Sequence, residues 1–332
     1  MPDITQAMLE DALSYGRTFT ERGKPAQYIP YLKQVDRDLL GVSVQTADGR
    51  RLSAGAYRTP FTVQSIAKVM ALALAMQDRG EKYLFSGRVG LEPTGDPFNS
   101  IIRLEVDKKP YNPFINAGAI AVVGAIKGRS GSEKFERLLR YFKKLCGSDT
   151  VSLCGEAYLS ERETGDKNRA LAYHLKATKM LEGDVSEDLD VYFRMCSLYV
   201  TAEDIAHLAL VLACRGMDPV TGEKLMEPDH ARIIRTLMLT CGMYDGSGEF
   251  AVKVGVSLQE RRRRRHRFGA GGPHGHRRLR PGPGSPGEQR GGRRPLRVPV
   301  PGAGRSFILI EAKERTWHPS MKSERPCGSR SW

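Results

Sequence analysis

Apolar positions recur at helical and strand spacing along the first 255 residues, and then the pattern stops. Residues 8–19 (MLEDALSYGRTF) carry them every three or four positions, which predicts a helix. Residues 39–55 (LLGVSVQTADGRRLSAG) predict a hairpin: an alternating strand, an Asp48-Gly49 turn and a return strand. The following stretch is apolar around most of its circumference from Ile66 to Met76, with Gly80 as a stop. That predicts a helix buried in the middle of the domain. Further helices are expected near residues 132–145, 169–181, 191–197 and 202–215, and EFAVKVGV at 249–256 alternates as a strand. No repeat of domain-building length is visible.

Composition sharpens the break near residue 256. The 332 residues carry a formal net charge of +14, which looks like a nucleic-acid signature until it is located. Residues 261–305 hold fourteen Arg and one Glu, residues 306–332 add +2, and residues 1–260 are left at −1. Gly and Pro make up eighteen of the 44 residues from 261 to 304, a low-complexity composition. The chain is therefore expected to divide into a near-neutral globular unit at 1–256 and a basic segment at 257–332. Taken literally, that segment is a disordered tail able to bind polyanions.

Over the whole chain, 40% apolar and 27% charged residues exclude wholesale disorder. The longest uncharged run of small apolar residues, GAIAVVGAI at 118–126, is well short of the roughly 18 residues needed to cross a membrane. The opening MPDITQAMLEDAL lacks the apolar core of an export signal, so a cytoplasmic protein with no membrane partner is expected. Six scattered cysteines show no zinc or redox spacing and read as reduced thiols. No metal and no cofactor are expected.

One short motif carries chemistry. In Ser65-Ile66-Ala67-Lys68 the two functional side chains stand about one helical turn apart on one face. The backbone N–H groups of a helix start also point at whatever lies near Ser65. Such a site suits acyl transfer, with Ser65 attacking a carbonyl and Lys68 taking its proton. Taken alone the motif is weak, because S-x-x-K arises by chance about once in a chain of this length.

Several segments in order carry more weight: YIPYL from Tyr28, VQSIAK from Val63, EPTGDPFNS from Glu92, NPFINAGAIA from Asn112, SERETGDKNRALA from Ser160, DVYFRMCSL from Asp190 and CGMYDGSGEFA from Cys241. Together they resemble the bacterial-type glutaminases, serine-dependent amidohydrolases related in fold to β-lactamases and penicillin-binding proteins. The resemblance covers residues 28–255. It implies an α+β fold, with helices on both faces of a five-stranded antiparallel sheet whose last three strands come from the C-terminal part. It implies hydrolysis of L-glutamine to L-glutamate and ammonia through an acyl-serine, in a homo-oligomer. Carried over residue by residue, it makes Ser65 the nucleophile, Lys68 its base and Tyr244 a member of the same proton network. Asn116, Glu161, Asn168 and Tyr192 hold the amino-acid head group, and Tyr28 closes over it.

Each residue has an ordinary alternative. Asn116 suits a helix cap, Tyr192 and Tyr244 suit half-buried aromatics, and Glu161 and Asn168 suit a solvated charged loop. A penicillin-recognising serine hydrolase shares the S-x-x-K motif and is a second enzyme reading.

The family pattern fails after Gly255, where the resemblance calls for Lys-Ser-Gly-Val-Gly-Gly-Gly-Ile, an inner strand whose backbone completes the oxyanion hole. The chain has Gln259-Glu260 and five arginines instead. Back-translated with GC-rich codons and shifted by one nucleotide, residues 259–267 read as the missing segment. The same shift turns 275–284 into Gly-Ile-Gly-Val-Tyr-Gly-Pro-Ala-Leu and 287–291 into Gly-Asn-Ser-Val. From about residue 257 onward the chain therefore reads as a shifted frame. Without two inner strands and one oxyanion donor it is expected to be unstable and nearly inactive as written.

Overall fold

The computed structural model describes residues 4–20, 29–36, 38–94, 104–105 and 108–254. The expected transition at residue 257 and the basic segment beyond it lie outside the described residues, as does Tyr28.

Helix α1 (Gln6–Arg17) starts at Thr5, whose side chain accepts from the Met8 amide. It packs on the predicted hairpin, formed by β1 (Gly41–Gln45) and β2 (Arg51–Gly55) in antiparallel register with Val44 opposite Leu52. Gly49 closes the turn at φ +89°, a conformation that a residue with a Cβ strongly resists.

The centre is built from two helices with almost no polar face. In α2 (Ala67–Arg79) every residue from Ala67 to Met76 is buried, Lys68 included, and Gly80 ends it at φ +79°. Helix α3 (Glu81–Phe85) follows at once. Helix α4 (Asn116–Ala125) is made of small apolar residues and lies against α2. Gly118 permits this seat: a Cβ there would stand 1.9 Å from the Asn112 carbonyl oxygen, so α4 touches the preceding loop backbone to backbone.

The outer layer is amphipathic. Helix α5 (Gly131–Cys146) is capped by Ser130 and ends on left-handed Gly147. It is locked to α8 (Val185–Cys196) by a buried ion pair, Lys134 Nζ to Asp188 Oδ1 at 2.6 Å. Between them run α6 (Gly155–Glu163) and α7 (Asp166–Ala177). Helix α9 (Ala202–Ala213) opens with a reciprocal cap between Thr201 and Asp204 and packs on β1 and α5. Helix α10 (Pro228–Cys241) lies against α2 and α9.

A second antiparallel sheet, small but central to the site, has the order β3 (Phe61–Thr62), β5 (Leu198–Val200), β4 (Ser152–Leu153). Tyr199 on the middle strand faces Thr62 on one side and Ser152 on the other. Strand β3 leads to Ser65, β4 leads into α6, and β5 continues from α8.

Residues 249–256, expected to form a strand, are instead helical where described: α11 spans Ser247–Val254. The alternation of Glu249-Phe250-Ala251-Val252 fits a strand only if a neighbour accepts its backbone bonds, whereas a helix satisfies its own. In the helix Val252 is 84% exposed, so its apolar side chain gains nothing from this placement.

Candidate active site

Ser65 lies in a 3-10 turn, Gln64–Ile66, between β3 and α2, with its side chain exposed. The turn is tight: Gln64 adopts φ +48°, a left-handed conformation that costs a residue with a Cβ about 1–3 kcal/mol. Lys68, three residues on, faces the interior and is 1% exposed. A lysine head group this deep needs acceptors. It has two, donating to the Phe114 carbonyl oxygen at 2.8 Å and to Asn116 Oδ1 at 2.8 Å. The Tyr244 ring lies beside it, 5.5 Å from Nζ to the ring centroid.

Asn116 is the first residue of α4, but its side chain does not cap that helix. Its oxygen serves Lys68 and its amide donates to Asn168 Oδ1 at 2.9 Å, which fixes its orientation. Asn112 instead fixes the turn that leads into α4: its Oδ1 accepts from the Phe114 and Ile115 amides and so helps to aim the Phe114 carbonyl.

Glu161 and Asn168 are not loop residues. Glu161 is buried on α6 and Asn168 half-buried on α7. Burial pushes the Glu161 carboxyl up to about 7, against the opposing pull of the Lys68 charge and a hydrogen bond from Gln64. The site thus holds a desolvated carboxylate with a weak local counter-charge, which suits a ligand cation.

Tyr192 on α8 is 3% exposed. Burial raises its hydroxyl well above the ordinary phenol range, with Cys196, Glu161 and Tyr244 adding to the effect. Tyr192 and Cys196 lie one helical turn apart on α8. Tyr244 opens a 3-10 turn, Tyr244–Gly246, at φ +54°. Ser247 braces that turn, accepting from the Met243 amide and donating to the Tyr244 carbonyl.

The fold therefore gathers Lys68, Asn116, Glu161, Asn168, Tyr192 and Tyr244 from six separate elements, with Ser65 at the start of the helix that carries Lys68. Sequence reading missed Gln64, Asn112, Phe114 and Cys196. Only Gln64, next to the serine, and Asn112, in an Asn-Pro turn, carried any signal. His207 stands apart, with Nδ1 3.1 Å from the Leu145 carbonyl and Nε2 3.4 Å from Asp218. Among the described residues no three His, Cys, Asp or Glu side chains cluster to hold a metal ion, and no helix is long and apolar enough to cross a membrane.

Known proteins share this arrangement of elements. The chain is 48% identical over 250 residues to glutaminase 2 of Clostridium perfringens, an alignment covering 75% of this chain and 82% of that one. The crystal structure of a probable glutaminase of Bacillus subtilis superposes with a TM-score of 0.69 at 42% identity, over 75% of this chain and 77% of that one. A Bacillus subtilis glutaminase in covalent complex with 5-oxo-L-norleucine, formed by its reaction with 6-diazo-5-oxo-L-norleucine, matches with a TM-score of 0.67 at 38% identity. That match covers 75% of this chain and 79% of the other. The β-lactamase-like α+β architecture is thus shared with enzymes of one family. Residues 23–259, which include every side chain of the candidate site, match the Glutaminase family, and the chain belongs to it.

Proposed function

We propose that this chain is a serine-dependent glutaminase that hydrolyses L-glutamine to L-glutamate and ammonia. The observation that carries the reading is the seat of Lys68. Two carbonyl oxygens accept two of its N–H groups and so fix the amine, which leaves its remaining position for the proton exchanged with Ser65, one turn earlier.

Ser65 Oγ attacks the side-chain amide carbon while its proton passes to Lys68. The backbone N–H of Ser65 helps to hold the oxyanion. Collapse expels ammonia, which takes a proton from the Lys68 and Tyr244 network. Water then attacks the acyl-serine, gives its proton to the same base, and glutamate leaves with Ser65 restored. Glu161 takes the α-ammonium, and Asn116, Asn168 and Tyr192 supply neutral donors to the α-carboxylate without disturbing Lys68. Tyr28 is assigned the closing role on resemblance alone. Reaction of a Bacillus relative with a diazo-ketone analogue of glutamine supports a nucleophile in a pocket of this kind.

The catalytic unit is residues 1–256, in a cytoplasmic homo-oligomer with no cofactor. The test is ammonia release from glutamine in the wild type, Lys68→Ala and Glu161→Gln, beside hydrolysis of a chromogenic β-lactam. Slow release from glutamine, lost in Lys68→Ala and raised when the shifted frame after residue 256 is restored, is expected, with no hydrolysis of the β-lactam. β-Lactam hydrolysis without glutamine hydrolysis would overturn the reading in favour of a penicillin-recognising enzyme.

A further inference from the structure

Helix α6 has little to hold it. Of its nine residues only Ala157 and Glu161 are buried, and Leu159 is 46% exposed. Tyr158 adds a half-buried ring packed on the core and a hydroxyl that donates to Asp190 of α8, still a slight anchor for an element that must keep a desolvated carboxylate in place. Polar ties at both ends make up the difference.

At the N-terminal end, three hydroxyl and thiol groups from separate elements meet. The Tyr31 hydroxyl, from the 3-10 turn Pro30–Gln34, lies 2.8 Å from the Tyr199 hydroxyl on β5. The Cys154 thiol lies close to both hydroxyls and acts on the titration of each. Cys154 is 3% exposed and caps α6, its sulfur accepting the Ala157 amide at 3.4 Å. Its own amide donates to the Ser197 carbonyl at 2.9 Å. At the other end, the Tyr31 amide donates to Ser160 Oγ at 3.2 Å, one residue before Glu161, and Gln64 hydrogen-bonds Glu161 itself. Gln64 also reaches Thr62, which pairs with Tyr199. The ties form a closed circuit from β5 through Tyr31 and α6 to Gln64 and back to β3.

We propose that Tyr31, Cys154 and Tyr199 are positioning residues that hold α6, and with it Glu161, for the α-ammonium of the substrate. The inference rests on the glutamine reading of the site. None of the three touches the reacting atoms, so their loss weakens ligand capture and leaves the chemical step alone.

The probe is 6-diazo-5-oxo-L-norleucine on the full chain, with labelling followed by intact mass against concentration. The half-saturating concentration reports capture and the limiting rate reports chemistry. Tyr31→Phe and Tyr199→Phe are each expected to raise the half-saturating concentration about three- to tenfold, with the limiting rate within about twofold of wild type. The double variant is expected to exceed the larger single effect little, because the groups act as one cluster. Cys154→Ser, which keeps a hydrogen-bonding group, should stay near wild type, and Cys154→Val should match Tyr31→Phe. An unchanged half-saturating concentration in Tyr31→Phe would overturn the proposal. So would a limiting rate that falls in step with the melting temperature, the mark of general loosening. Glu161→Gln separates the two levels: if it leaves the half-saturating concentration unchanged, the glutamine reading fails and the positioning role with it. If it shifts that concentration and Tyr31→Phe does not, only the positioning role fails.

Discussion

Glu161 offers the sharpest quantitative handle on the site. Its carboxyl titrates at about 7 because it is buried with only partial compensation. On the proposed reading its ligand partner is an α-ammonium, which stays charged across neutral pH, so capture requires the ionised carboxylate. From pH 8 to pH 6 the ionised fraction falls from about nine-tenths to about one-tenth. The dissociation constant for L-glutamate, measured by titration calorimetry, should therefore rise about tenfold over that interval and level off above pH 8. Stability moves the other way. A carboxyl raised from 4.5 to about 7 by folding holds its proton more tightly in the native state. It therefore opposes folding increasingly as the pH rises from 4.5 to 7, by about 3 kcal/mol in total. In Glu161→Gln both effects should vanish: binding weak and flat with pH, and urea stability gaining on the wild type between pH 5 and 7.5. Glutamate binding that is equally tight at pH 6 and pH 8, or a Glu161→Gln variant that keeps the wild-type pH profile, would refute the reasoning.

Three further outcomes follow from the same structure. Lys134→Met should cost about 3–5 kcal/mol in urea unfolding, because it leaves Asp188 buried without its partner. Arg129→Ala, which removes an ion pair whose arginine side chain is 94% exposed, should change the same measurement negligibly. A chain re-encoded after residue 256 in the shifted frame should gain about 10²–10³ in glutamine turnover through its second oxyanion donor, and no gain would contradict the frame argument.

What could be read from the sequence follows from how local each signal is. The hairpin was legible almost to the residue, because Asp48-Gly49 sets the turn and the turn sets the register. Helices α1, α5 and α9 were legible because one apolar stripe repeats along each of them. Helix α4 was not, since a run of small apolar residues has no periodicity to detect. Helix α6 lacked its usual start signal because a cysteine does the capping. Strands β3 and β4, two residues each, are too short for any alternation to show. Residues 249–254 misled in the opposite sense, with a strand alternation in a helix. Within the site, the S-x-x-K spacing pointed to Ser65 and Lys68, and the family resemblance pointed to Asn116, Glu161, Asn168, Tyr192 and Tyr244. The burial of Glu161 and the Phe114 carbonyl on Lys68 depend on how distant helices pack, which spacing does not encode. The Cys154 cluster joins residues up to 168 positions apart and left no local trace.

The central claim is that Ser65 is the nucleophile and Lys68 its base. Intact-mass and peptide mapping after exposure to 6-diazo-5-oxo-L-norleucine tests it most directly. One covalent adduct on Ser65, absent from Ser65→Ala and greatly slowed in Lys68→Ala, is the predicted result. An adduct on another residue, or undiminished labelling of Ser65→Ala, would contradict it.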